Sequence, residues 1–232
     1  MSSPTPAQPS SAPSPSLTER RKAATRMEIA RAAAGLFVKQ GLRTTRAEDI
    51  AQAAGVAPRT FYRYFATKEE AVAPLYAAGA DRWAESVRNA PADLSVPEAL
   101  EHAVRHTLTP GAGVSTASWE WVRTLVRLAT ASPALRKVWA EVCHAGEARL
   151  AEVLAGRSRR AGSAPDNVAE AVPAEPADLR FAAAVAAAAV RVAVETWASG
   201  EAPAEGPEGP AALAMRNLGA LRDFPWRRTL EG

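Results

Sequence analysis

The stretch LRTTRAEDIAQAAGVAPRTFYRYFATKEE, residues 42–70, decides how the rest of the chain is read. Its spacing predicts two short helices joined by a tight turn, then the capped start of a third. Thr45 and Glu48 have the spacing of a capping box, in which the hydroxyl accepts from the N3 amide and the carboxylate reaches back to the cap N–H. The first helix is therefore expected over residues 46–54. Gly55 follows, and glycine takes the positive φ that often ends a helix without steric penalty. Pro58 suits the first turn of the next helix, where its missing N–H costs nothing. That helix is expected to end near Phe65, and Thr67 and Glu70 repeat the capping-box spacing to open a third at Lys68. Ile50, Ala54, Val56, Phe61 and Phe65 can close on one small core, which leaves faces of Arg59, Thr60, Tyr62, Arg63 and Tyr64 outside.

Two short helices crossed over such a turn form a helix-turn-helix, whose second helix enters the DNA major groove by its N-terminal end. The alternative is a helical corner with a solvated basic face. Turn, caps and the outward Arg/Tyr/Lys set agree with one another and favour the helix-turn-helix.

The same residues resemble a known family. Thr44-Thr45, Asp49-Ile50-Ala51, Ala54-Gly55-Val56, Thr60-Phe61-Tyr62-Arg63-Tyr64-Phe65 and Lys68-Glu69-Glu70 are similar to the DNA-binding signature of TetR-family transcriptional regulators. Ile29-Ala30, Ala33, Leu36-Phe37 and Gly41 match that family's first helix, so the resemblance spans about residues 18–89. It departs at Ala57, where family members often carry a serine that caps the recognition helix and can touch a phosphate. The resemblance implies a four-helix dimer interface built from the last two long helices, here residues 176–199 and 211–221. Residues from Trp119 to Leu154 also resemble the body of actinobacterial TetR regulators thought to recognise acyl-CoA-like ligands.

Composition bounds the rest. The chain has 232 residues, 47% hydrophobic and 23% charged, ordinary values for a globular protein. Its single cysteine, Cys143, excludes an internal disulfide framework and points to a reducing compartment, so a cytoplasmic protein is expected. Residues 1–16 form a Pro/Ser tail with neither the basic start nor the apolar run of a secretory signal, and disorder is expected there. The net charge of +3 hides an asymmetry: residues 17–68 carry eleven basic and four acidic side chains, +7, which leaves −4 for the remainder. A basic head on a mildly acidic body suits a head that meets phosphate.

Along the chain, Ser16 and Glu19 open a helix expected to run to Gln40, with Ile29, Ala33, Leu36 and Phe37 on one face and Gly41 as its stop. Arg20, Arg21, Lys22 and Arg26 precede that stripe, and either follow a DNA backbone or form a solvated face. The helix from Lys68 is expected to continue to about Asn89, with Pro74 as a possible kink, and to be the only mechanical link between head and body. Further helices are expected from Pro97 to Leu108, over residues 119–130, from Pro133 to about Leu154, over 176–199 and over 211–221. Polar loops are expected at 109–118, at 156–173 and ahead of Pro210. No stretch shows strand alternation. The helix at 176–199 is apolar almost all round, and such a helix must be covered on every side.

The fold class is thus all-α: a three-helix helix-turn-helix head, residues 17–67, on a larger helical ligand-binding and dimerisation body, residues 68–232. Thr45, Arg46, Pro58, Arg59, Thr60, Tyr62, Arg63, Tyr64 and Lys68 are the candidate DNA-binding residues. Trp83, Trp119, Trp139 and Cys143 are candidates for the wall of a small-molecule effector cavity, because aromatic residues line such cavities as readily as they fill cores. Arg123 and Arg127 are candidates for an acidic ligand group, with pairing to Glu120 as the plainer role. His102 and His106 have a metal-ligand spacing and Cys143-His144 could add to it, but without HExxH no metal or cofactor is expected. No GxSxG, P-loop or GxGxxG appears, so no enzyme is expected. The expectation is a homodimeric, ligand-released repressor on a palindromic operator, against a small-molecule or metal sensor with a vestigial head.

Overall fold

The computed structural model describes residues 16–111, 116–162 and 176–221. The expected Pro/Ser tail up to residue 15, parts of the loops expected at 109–118 and 156–173, and residues 222–232 of the expected body lie outside them. The described residues are helical and contain no strand.

The first helix, α1 (Leu17–Gln40), has the bounds its caps dictate. The Ser16 hydroxyl accepts from the Glu19 N–H at 3.2 Å, and the Glu19 carboxylate accepts from the Ser16 N–H at 2.7 Å. Gly41 ends the helix at φ 86°. The next helix, α2 (Ala47–Ala53), starts later than expected because its cap is Arg46, whose N–H donates to the Asp49 carboxylate at 2.8 Å. Thr45 is instead fully buried, its hydroxyl donating to the Gly41 carbonyl at 2.8 Å. Gly55 takes φ 66° in the turn, and α3 (Pro58–Tyr64) follows with proline in its first turn.

The third helix of the signature is also corrected. The Thr67 hydroxyl does accept from the Glu70 N–H at 3.2 Å, but the chain then makes a 3₁₀ turn, Glu70–Val72, before α4 (Ala73–Asn89). Pro74 explains the delay: a proline inside a helix would lose a hydrogen bond and clash with the preceding turn, so the helix begins where Pro74 falls in its first turn. Then come α5 (Val96–Leu108), α6 (Thr116–Ala131), α7 (Pro133–Gly162), α8 (Pro176–Ser199) and α9 (Pro210–Gly219).

Helix α7 overruns its expected end near Leu154, and the segment from Gly156 read as loop is helix as far as Gly162. Arg157 supplies the reason. Its side chain is buried and donates to the carbonyls of Val87 at 3.3 Å, Ala90 at 2.8 Å, Pro91 at 2.9 Å and Leu94 at 2.9 Å. Val87 and Ala90 lie where α4 ends and Pro91 and Leu94 in the turn beyond it, where the Pro91 carbonyl also accepts from the Leu94 N–H, and a buried carbonyl needs a donor.

Two apolar clusters form the interior. Ile29, Phe37, Ile50, Phe61, Phe65 and Val72 make the head core, and Tyr76, Leu125, Ala129, Leu135 and Val138 extend it into α4, α6 and α7. Trp83, Leu100, Trp119, Leu150, Ala186 and Trp197 belong to the body core. Helix α6 therefore has one foot in each. The Tyr76 hydroxyl donates to the Leu125 carbonyl at 2.9 Å in the buried joint. Leu125 and Ala129 of α6 share the head core with Ile29, Ala33 and Phe37 of α1, so α4 is not the sole link between head and body. Helix α8 buries Leu179, Ala182, Ala183, Ala186, Val190, Ala193 and Trp197, while Phe181 and Val192 are 57% and 46% exposed.

Candidate nucleic-acid interface and body cavity

Helix α3 is anchored by Phe61 and Phe65, both buried, with ring centroids 5.8 Å apart. The 3.6-residue period then turns Arg59, Tyr62 and Arg63 outward together, and all three are exposed along with Pro58 and Arg46. Thr60 and Tyr64 are half-buried on the flanks. Tyr62 packs edge-on against Phe61, centroids 5.4 Å apart, and its hydroxyl donates to the Glu48 carboxylate at 3.1 Å. That bond braces α3 against α2, and the adjoining carboxylate pushes the phenol's pKa up. The Arg63 guanidinium lies 5.3 Å from the Tyr64 ring centroid and Arg26 of α1 lies 5.0 Å from that of Phe65.

Two candidates face inward. Thr45 is enclosed against Gly41, and the Lys68 ammonium donates to the carbonyls of Leu42 at 2.6 Å and Thr45 at 2.8 Å. Both side chains hold the loop ahead of α2 against the residues after α3. A lysine so placed meets backbone carbonyls first, which its residue type alone does not reveal. The exposed first turns of α1 carry Arg20, Arg21 and Lys22, the cluster whose role the sequence left open.

In the body, α4, α5, α6, α7 and α8 line a partly open cavity of about 200 Å³. Trp83, Trp119, Trp139 and Cys143 all stand on its wall. Arg123 and Arg127 do not, and they are corrected to a different task. Arg123 is buried, its guanidinium 4.5 Å from the Trp197 ring centroid, and it donates to the Ala202 carbonyl. Arg127 donates to the carbonyls of Ala198 and Gly200, each at 2.5 Å, and to the Glu201 carboxylate at 2.6 Å. Together they close the C-terminal end of α8, where helix carbonyls lack donors and the helix dipole favours cations. The Glu120 pairing survives only as a 3.8 Å contact with Arg123.

The Trp139 indole N–H donates to the Glu195 carboxylate at 2.6 Å, and Arg191 approaches that carboxylate at 3.4 Å. Burial pushes the Cys143 thiol up to about 11, so the thiolate is disfavoured there. His102, His106 and His144 are exposed, and among the described residues no three His, Cys, Asp or Glu side chains gather as metal ligands. The sequence reading missed Tyr76, Val122, Val190 and Arg191 on the wall. Five helices supply it, and periodicity within one helix does not tell which neighbour a face will meet.

Comparison with known proteins agrees with this geometry. Residues 29–73 match the sequence profile described as "Bacterial regulatory proteins, tetR family". The chain is 32% identical over 158 residues to the HTH-type transcriptional regulator TcmR of Streptomyces glaucescens, spanning 66% of this chain and 69% of that one. Its fold is shared with Thermus thermophilus FadR, a transcriptional repressor solved with lauroyl-CoA: TM-score 0.52, 24% identity, 84% of this chain and 92% of that one. It is also shared with a regulator from Syntrophomonas wolfei: TM-score 0.53, 19% identity, coverage of 85% and 92%.

Proposed function

Because the chain belongs to the TetR family of DNA-binding transcriptional regulators, we propose that it is a homodimeric repressor released from a palindromic operator by a small molecule. The observation that carries the reading is the outward Arg59–Tyr62–Arg63 face on a short helix whose other face is locked by Phe61 and Phe65. Arginine donors reach base edges or phosphates, and tyrosine adds an apolar face. Arg46, Pro58, Thr60 and Tyr64 flank that face, with residues 17–67 acting as the DNA-binding unit and 68–232 as the effector and dimer unit. The protein works in the cytoplasm, where the DNA is; among the described residues no helix is long and apolar enough to cross a membrane.

The effector acts from the cavity. Trp119, Val122, Leu125 and Val126 of α6 line it, while Leu125 and Ala129 of the same helix pack in the head core. A ligand that favours one placement of α6 thereby favours one placement of the head, by as much as its affinity differs between the two. Pairing of two chains sets the recognition helices about 34–36 Å apart, one turn of duplex.

The test is a titration of the purified dimer against palindromic and scrambled duplexes at several salt concentrations. A preferred palindrome is expected, and Arg63→Ala is expected to cost about 1–3 kcal/mol of operator affinity with the dimer still folded. Equal, weak binding to every duplex would instead support a small-molecule or metal sensor whose head is vestigial. Unchanged affinity in the Arg63 variant removes that residue from the interface.

A further inference from the structure

Helix α4 has a gap where its packing face calls for a side chain. Tyr76 and Trp83 lie two turns apart on one side of the helix, each 7% exposed, and both stand on the cavity wall. Gly79 falls between them, one turn from each, so it shares that side and it too lines the cavity. A glycine inside a helix costs stability relative to alanine. Two reasons commonly account for one, an unusual backbone angle or a close neighbour, and neither applies at Gly79. Its backbone is that of a right-handed helix, and a Cβ added to it would meet no atom of the described residues within 4 Å. Gly146 of α7, also on the wall, is the contrast. A Cβ there would come within 3.2 Å of the Ala80 Cβ, so the close approach of α7 to α4 explains that glycine. At Gly79 the missing side chain provides room, and the backbone is exposed although the rings one turn to either side are buried.

The wall indicates what would use that room. Leu75, Tyr76, Val122, Val126, Trp139 and Val194 make it mainly apolar. Its charged residues keep contact with water: Arg82 is exposed, and the Glu147 and Arg191 side chains are 27% and 36% exposed. Apolar surface gains by leaving water, so the body of a ligand belongs among the inner side chains and any polar end belongs at the opening. An apolar protein cavity of about 150 Å³ admits benzene, and this one is about 200 Å³. We infer that Gly79 sets the size of the ligand: an apolar body of about two fused rings lies against the bare α4 backbone between Tyr76 and Trp83, in the place of the missing side chain. The inference rests on the effector reading for why a ligand enters, and on Gly79 for how large it is. A side chain at position 79 fills that place and improves the helix, so stability and binding move in opposite directions.

The test uses the full chain, its Gly79→Ala and Gly79→Leu variants, and two neutral probes that differ by one ring, 1-aminonaphthalene and aniline. Fluorescence titration reads the first and calorimetric titration the second. The parent protein is expected to bind 1-aminonaphthalene at least about tenfold tighter than aniline, because the second ring is buried too. In Gly79→Ala the bicyclic probe is expected to weaken about fivefold and aniline less than about twofold, since only the larger body needs the space. The melting temperature of the same variant is expected to rise by a few degrees. In Gly79→Leu the bicyclic probe is expected to weaken at least about twentyfold. If Gly79→Leu does not fold, Gly79→Ala and the two probes decide. Binding of 1-aminonaphthalene by both variants as by the parent overturns the inference, as does equal weakening of both probes in Gly79→Ala. A melting temperature that does not rise in Gly79→Ala, or a parent that binds neither probe, overturns it as well. Operator binding by the ligand-free protein is measured separately, so loss of the regulator reading is distinguishable from loss of this one.

Discussion

At the scale of single residues, the head shows how a side chain chosen for DNA can also hold the loop that presents it. Thr45 and Lys68 have the residue types of phosphate contacts, and here the Thr45 hydroxyl donates to the Gly41 carbonyl while two of the three Lys68 ammonium donors meet the carbonyls of Leu42 and Thr45. Ala57 is the converse. It holds the N-cap of α3 in extended backbone, φ −68° and ψ 149°, with no side-chain bond to the helix amides. That backbone is the one a serine cap needs, so Ala57→Ser is expected to stabilise the protein by about 1 kcal/mol in urea unfolding. A loss of stability would show that the cap site is obstructed.

At the scale of elements, two helices behave as their neighbours require. Helix α7 continues past Gly156 because Arg157 answers the carbonyls at the end of α4 and the turn beyond it. Removing a buried charged donor strands those acceptors, so Arg157→Ala is expected to cost roughly 2–4 kcal/mol and to lower the melting temperature by several degrees. A melting curve matching the parent protein would mean that the carbonyls find other donors. Helix α1 is the opposite case, since its first turns stand exposed and carry Arg20, Arg21 and Lys22. Converting all three to alanine is expected to reduce the slope of log K against log salt by about 2 to 3, with specific and scrambled duplexes weakened alike. An unchanged slope assigns the cluster to solvent.

At the scale of the whole molecule, α8 is apolar on two sides and the described residues of one chain fully cover only one. Leu179, Ala186, Val190 and Trp197 fill the body core, whereas Phe181, Val185, Ala188 and Val192 recur at spacings of four, three and four along the outer side, each half-buried or exposed. Those spacings make one apolar stripe, and Ala188 at its middle is small enough to let a second α8 approach closely. Val192→Glu is expected to shift the particle from dimer to monomer in analytical ultracentrifugation and to weaken operator binding at least tenfold, since one head then pairs with one half-site. A dimer that persists unchanged would place the interface elsewhere.

The sequence by itself determined what is local. Capping residues with spacing three fixed the bounds of α1, Gly55 and Pro58 fixed the turn before α3, and the apolar pair Phe61 and Phe65 fixed which side of that helix faces out. Each of these depends on atoms within a few residues of one another, so the order along the chain carries them. Tertiary structure decided the rest: that α6 serves both cores, that Arg123 and Arg127 close α8 and stand away from the cavity, and that Trp83, Trp119 and Trp139, from three helices, share its wall. Such facts are set by which distant carbonyl or ring arrives beside a side chain, and no spacing within a single helix records that arrival.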